Sequence, residues 1–386
     1  MTEDLQKLYD ERVDRFVKTV TFTKPDRVPI LSQITNWALH YTGYKLVDVF
    51  ENYDLEAEIY VKANKDFFFD GVRSTGIGHM LKTQVEYKSI TYFISPNGVT
   101  NQHHDHSDMT VEEYEELFEN EAKLYAKLAQ RKLAYLMEMN DDELFAAVSK
   151  ILNKPKEHAQ SYARQAVIDQ LGLPIVAGGG TTGIALDTMF DFLRGLKNTT
   201  VDLRRRPEKI QECIDFLTPN IEATLPKPGT KLPPFPFPFK MHHIPTFLSA
   251  DLFGRFYWPY YRKQVELYHD CGTTYVSNWE GLFSQHYDYL QDLPDHSLVG
   301  MNVPEEYELW VNRFGGKFGC IAGVPSSTLR FLTPEECIER AKKVVDLVAP
   351  HGGMIFGNDR SMIAPMDADP DKLRAMHEFV AGYATF

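Results

Sequence analysis

The last third of the chain alternates extended and helical segments, and each extended run ends in polar residues that a buried strand does not need. Thr273 to Gly281 is one such run, stopping at Asn278 and Glu280. Lys317 to Pro325 is the next and contains Cys320, and Gly353 to Arg360 closes on Asn358 and Asp359. Between the last two lies an amphipathic helix with explicit boundaries. Thr333-Pro334-Glu335-Glu336 is a capping box with proline at the first helical position, and Pro350 marks the stop. Strands separated by helices of this length make a parallel sheet with helical crossovers. Such sheets collect ligand chemistry at the strand C-termini. Asn278, Glu280, Cys320, Asn358 and Asp359 are therefore the first candidates for function.

The same alternation extends towards the N-terminus. Leu5 to Thr21 reads as a helix, Val28 to Ser32 as a first strand, and Asp54 to Lys65 as a second helix. Phe67 to Val72 reads as a strand that stops near Asp70. Val85 to Ser95 alternates and is expected to form a hairpin arm over the barrel mouth. Leu173 to Gly183 is a strand entering a glycine-rich turn, but it lacks the spacing of a dinucleotide fingerprint and the lysine of a P-loop. Trp258 to Asp270 is a helix with Gly272 just beyond its end. The expectation is a single (β/α)8 barrel of the TIM type over residues 1–386. A helix-rich insertion near residues 108–165 is opened by a capping box at Thr110 and Glu113.

Composition removes several classes. The 386 residues include 43% hydrophobic residues, enough for a large core. The net charge of −13 argues against nucleic acid as a partner. No apolar run reaches the roughly 18 residues of a membrane span, and the polar start lacks the order of a signal peptide. A cytoplasmic location is expected. Four irregularly spaced cysteines suit free thiols. His103-His104-Asp105-His106 reads as a polar loop rather than a metal cluster. The many aromatics suit a pocket for an apolar or aromatic ligand. A homo-oligomer is left open.

Several segments, in order, resemble the uroporphyrinogen decarboxylase superfamily. They are Asp26-Arg27-Val28-Pro29, Leu203 to Glu208, Gly323-Val324-Pro325 with Leu332 to Glu336, and Gly352 to Gly357. The resemblance covers most of the chain outside the insertion and implies a (β/α)8 barrel. The decarboxylase branch grips carboxylates with arginines that the segment Ile30 to Trp37 lacks. The corrinoid-linked methyltransferase branch often holds zinc, through a His-x-Cys-Gly motif at one strand end and a later cysteine. His269-Asp270-Cys271-Gly272 mimics that motif but sits at a helix end. The matching position is Asn278-Trp279-Glu280-Gly281, and the later cysteine falls near Asp359. Glu280-Gly281, Asp292-Leu293-Pro294 and Cys320 look like the subset that demethylates aromatic methyl ethers onto a corrinoid protein.

The resemblance thus implies a methyltransferase with a small methylated substrate and a corrinoid protein as partner. Glu280, Asp359 and Asn278 are the expected catalytic residues. If zinc binds, its ligands are expected among His242, His243, Glu280, Cys320 and Asp359. Neighbours on a strand face opposite ways, so only one of His242 and His243 can point into the barrel. The rival readings are a decarboxylase-like lyase and a non-catalytic binding barrel.

Overall fold

Parallel strands covered on both faces are apolar along their whole length, and the runs read above behave that way. The computed structural model describes residues 1–73, 79–104, 109–152, 158–178 and 183–386. Its strands are β1 (Leu31–Ser32), β2 (Gly71–Val72), β3 (Tyr92–Ile94), β4 (Asn101–His103), β5 (Ala177–Gly178), β6 (Phe237–His242), β7 (Tyr275–Trp279), β8 (Leu298–Met301), β9 (Gly319–Val324) and β10 (Met354–Asn358). Strands β5 to β10 form one curled, all-parallel sheet in chain order, and β1 pairs with β2 in parallel. Isolated parallel bridges set this pair between the two ends of the larger sheet, Ile30 with Phe356 on one side and Val72 with Ile175 on the other. The protein is α/β with a six-strand half-barrel. The ring beyond it is joined at single bridges rather than closed by continuous ladders.

The two faces of the sheet sort their side chains with period two. Leu31, Val176, Phe237, Val276, Val299, Met301, Ile321 and Ile355 make one buried cluster with Phe16 and Val20. This is the inner face. Tyr275, Trp279, Leu298, Cys320, Ala322, Val324 and Phe356 belong to the larger cluster beneath the helices. The helix Glu3–Val20 supplies Phe16 and Val20 and plugs the N-terminal end of the strands. Gly71 lets it approach, because a Cβ there would lie 2.7 Å from the Phe16 ring.

Charges at that end are matched. Asp70 is 1% exposed and accepts hydrogen bonds from the backbone N–H of Ile30 (2.8 Å), from Arg15 (2.8 Å) and from both terminal nitrogens of Arg27 (2.5 and 2.6 Å). Asp70 therefore stands at the entrance of β2, not at its functional end, and the polar exit of this strand is Arg73.

Other expectations shift in detail. Residues 85 and 86 end the helix His79–Glu86, and the antiparallel hairpin is β3–β4. Strand β8 was not anticipated, because four residues containing a glycine give little pattern. The insertion contains the helices Glu113–Glu119, Glu121–Lys132 and Asp141–Leu152. Residue 165, however, lies inside the helix His158–Leu171. That helix packs on Tyr53–Lys65, and Arg12 binds the carbonyls of Leu171 (2.7 Å) and Gly172 (2.9 Å) at its end. Half of the first capping box forms, with Glu113 accepting from the Thr110 N–H at 2.8 Å. The Thr333 box forms in full. Among the described residues no helix is long and apolar enough to cross a membrane.

Candidate active site at the C-terminal ends of the strands

The exit of β6 separates its two histidines. His242 is fully buried on the outer face. Its Nδ1 lies 2.6 Å from the Tyr257 hydroxyl and its Nε2 lies 3.3 Å from the Ser277 hydroxyl, which in turn meets Tyr261 at 2.8 Å. Tyr257 donates to Asp187 at 2.5 Å. Burial lowers the affinity of His242 for a second proton, against a smaller opposing pull from Asp187. The other oxygen of Asp187 accepts from the backbone N–H groups of His243 and Ile244, each at 3.0 Å. This buried network fixes the turn that presents His243.

His243 sits at the rim, with its side chain 30% exposed. Its Nδ1 faces both oxygens of Asp191 at 2.8 and 2.9 Å, and its Nε2 faces Glu280 at 3.5 Å. The hydrogen bond to Asp191, aided by the charges of Asp191, Glu280 and Asp187, pushes its pKa up to about 9 despite burial. The ring is therefore an imidazolium at neutral pH. Asp191 lies in the π-helical turn Met189–Leu193, a distortion often found at functional sites.

Below the rim the inner face is open. Met241, Asn278 and Met301 stand in one row of the ladder. Met241 is 39% exposed, although it lies inside the curl of the sheet. The Asn278 side-chain amide makes no hydrogen bond to a described residue. Gln33 reaches in from the end of β1, with its amide nitrogen 3.7 Å from the Met301 sulfur. Arg73, at the exit of β2, crosses above this row. It donates to the Ser361 hydroxyl at 2.8 Å on one side and lies 3.8 Å from the Met241 sulfur on the other, with its guanidinium 5.2 Å above the Phe239 ring.

Of the residues expected from sequence, Glu280, Asn278 and His243 share this opening. Three others are placed elsewhere. Cys320 faces outward, 2% exposed, with the Asn302 amide 3.7 Å from its sulfur, and burial pushes its thiol up to about 12. His242 also faces outward. Asp359 accepts from both the N–H (2.9 Å) and the hydroxyl (2.8 Å) of Ser326, which starts the helix Ser326–Phe331. The expected zinc ligands therefore do not converge, because strand alternation puts two of them on the far face of the sheet. Among the described residues no group of three or more His, Cys, Asp or Glu side chains could hold a metal ion.

Asn358 is buried on the outer face beside Val324, and among the described residues both its side-chain polar atoms lack a partner. Cys271 is buried at the end of the helix Trp258–Asp270, 3.9 Å from the Lys227 carbonyl, so the false zinc motif is a helix cap. His103 and His104 are exposed on the hairpin, their rings against Tyr92 and Phe93. Asp105, His106 and the turn Gly179 to Thr182 lie outside the described residues.

Sequence reasoning missed Arg73, Asp187 and Asp191. Arg73 carried a signal, since the strand-end rule applied to Phe67–Val72 points three residues beyond Asp70. Asp187 and Asp191 follow no strand-end pattern, because they come from a helix in the wall.

No family model matches the chain, and no curated protein matches it in sequence. Among solved structures, a methyltransferase from Methanosarcina mazei shares its fold, with a TM-score of 0.58 at 13% identity, over 96% of this chain and 98% of that one. At that identity the likeness is one of architecture.

Proposed function

We propose that this chain is a methyltransferase of the uroporphyrinogen decarboxylase superfamily. On this reading its barrel is of the (β/α)8 type, and it moves a methyl group from a small aromatic methyl ether to a corrinoid carried by a partner protein. The observation that carries the reading is the placement of His243 at the strand exits, with Nδ1 against Asp191 and Nε2 facing Glu280. The fold shared with the Methanosarcina methyltransferase supports it.

When the methyl–oxygen bond of an aryl ether breaks, the methyl group leaves without its bonding electrons and the oxygen keeps them. That oxygen needs a proton or another stabilising charge. His243 has one to give from Nε2, the nitrogen turned to the opening. Asp191 holds the ring in place and stabilises its charged form. Partial exposure lets the ring regain its proton from water. Glu280 flanks the same nitrogen, and Asn278 offers an amide from below. The corrinoid, when bound, supplies the nucleophile that accepts the methyl group. Its approach is served by Phe192, Phe247 and Leu282, all more than half exposed, on the segments that follow Asp191, His243 and Glu280.

The test is direct. The protein is mixed with Co(I) cobalamin and an aryl methyl ether, and methylcobalamin is followed by its visible spectrum. His243→Gln is expected to lower the rate at least roughly tenfold, about 1.4 kcal/mol of barrier, and Glu280→Gln by a similar factor. Wild-type rates in both variants would remove the assignment.

A further inference from the structure

We propose that Arg73 is an anion-binding residue that holds a carboxylate of the substrate across the top of the barrel. The substrate class is then an aromatic acid, and its description as a methoxylated acid rests on the methyl-transfer reading.

Three observations meet at this residue. The first is placement. Gly71 faces the plug residue Phe16 on the inner face, and Val72 packs in the outer cluster. Alternation turns Arg73 inward again. Its contacts agree, since Ser361 follows β10, and Met241 and Phe239 lie on β6. The side chain therefore spans the opening between strands on opposite sides of β2.

The second is satisfaction. A guanidinium carries five N–H donors in a planar fork shaped for a carboxylate. Arg73 spends one on a hydroxyl and points another at a thioether sulfur, a weak acceptor. Among the described residues no carboxylate lies within ion-pair distance of it. Three other shielded arginines are matched by carboxylates, and Arg12 by two backbone carbonyls. Arg15 and Arg27 share Asp70, and Arg194 pairs with Asp202 at 2.8 Å. Burying a cation without an anion is costly, and here burial lowers the hold of Arg73 on its proton, with only Glu280 opposing. A bound carboxylate removes that penalty.

The third is what lies beneath. Phe239, Met241 and Met301 give an apolar floor, and Asn278 and Gln33 place amides on it. An apolar ring bearing one carboxylate matches this surface, with a few placed polar groups on an otherwise apolar lining. Glu280 and His243 stand at the rim above, where a ring oxygen would meet the proton donor.

Benzoate and benzyl alcohol make a matched pair of probes, because neither has a methyl ether and only one has the charge. Each is titrated into the protein by calorimetry. Wild type is expected to bind benzoate at least tenfold more tightly than benzyl alcohol. Arg73→Gln should abolish that preference. Arg73→Lys, which keeps the charge without the fork, should restore part of it. Thermal melts show whether each variant is folded. Equal binding of the two probes by wild type, or an unchanged ratio in a folded Arg73→Gln, overturns the proposal. The titrations do not involve methyl transfer. Arg73-dependent benzoate binding together with no demethylation of methoxybenzoate would retain this inference and remove the proposed function.

Discussion

The two ends of the strands are built on opposite principles. At the N-terminal end the helix Glu3–Val20 fills the opening with Phe16 and Val20, and Asp70 is surrounded by Arg15, Arg27 and a backbone N–H. The charges of Asp70, Arg15 and Arg27 answer one another there. At the C-terminal end, among the described residues, Arg73 has no carboxylate within ion-pair distance and the Asn278 amide has no hydrogen-bond partner, and Met241 is open to solvent inside the curl. One end is spent on stability and the other holds groups whose partners must come from outside. In parallel α/β sheets, chemistry sits at the C-terminal ends of the strands and the opposite end carries the fold. The contrast can be tested from both sides.

The largest effect is expected at the closed end. Asp70→Ala leaves Arg27 without a carboxylate and Arg15 with Asp26 alone, and breaking a buried pair in this way costs about 3–5 kcal/mol. Urea denaturation measures it, and benzoate binding by the surviving folded fraction should match wild type. A loss below about 1 kcal/mol would mean that the cluster behaves like a surface ion pair and that the contrast is overstated.

At the open end Asp191 should act through protons. Asp191→Asn removes the main partner that raises the His243 pKa, so the value falls from about 9 towards the ordinary 6.5, with Glu280 and Asp187 still opposing burial. At pH 8 the protonated fraction then drops, by up to roughly thirtyfold if the ordinary value is reached. The transfer rate should follow at that pH and recover in acid. The sign for stability is the same. The raised pKa stabilises the native state fully below pH 6.5, and this contribution is lost as pH rises through about 9. The variant should lose that slope. An unshifted rate profile, or an imidazole proton signal by NMR that still titrates near the wild-type pH, would show that Asp191 does not hold the proton.

What could be read from sequence follows the same division. The regular part was legible, because β7, β9 and β10 are apolar runs with polar exits and their helices carry caps. Glu280, Asn278 and His243 were reachable from those exits. The side a residue faces was less so. Cys320 and His242 look like site residues in a linear reading, yet one step of strand phase places them under the helices. Asp70 reads as a strand exit because the ladder of β2 is only two residues long. Asp187 and Asp191 come from a wall helix whose approach to β6 depends on the assembled barrel, and no local pattern encodes that.

The smallest effect is expected where sequence is most misleading. His269-Asp270-Cys271-Gly272 has the look of a zinc motif, but Cys271 closes a helix and Gly272 follows at φ +91°, the left-handed conformation that suits a helix end. The thiol is buried and lies 3.9 Å from the Lys227 carbonyl. In Cys271→Ser a shorter and more polar group can still donate to that carbonyl. The swap exchanges a weak sulfur contact for an oxygen hydrogen bond at the cost of some packing. The change in stability should stay within about 1 kcal/mol. Zinc content by elemental analysis, benzoate affinity and methyl transfer should all match wild type, since the residue lies in the outer layer, away from the opening lined by Arg73, Asn278 and Glu280. Loss of bound zinc together with loss of transfer in a folded Cys271→Ser would move the functional centre to the outer layer and break the contrast between the two ends.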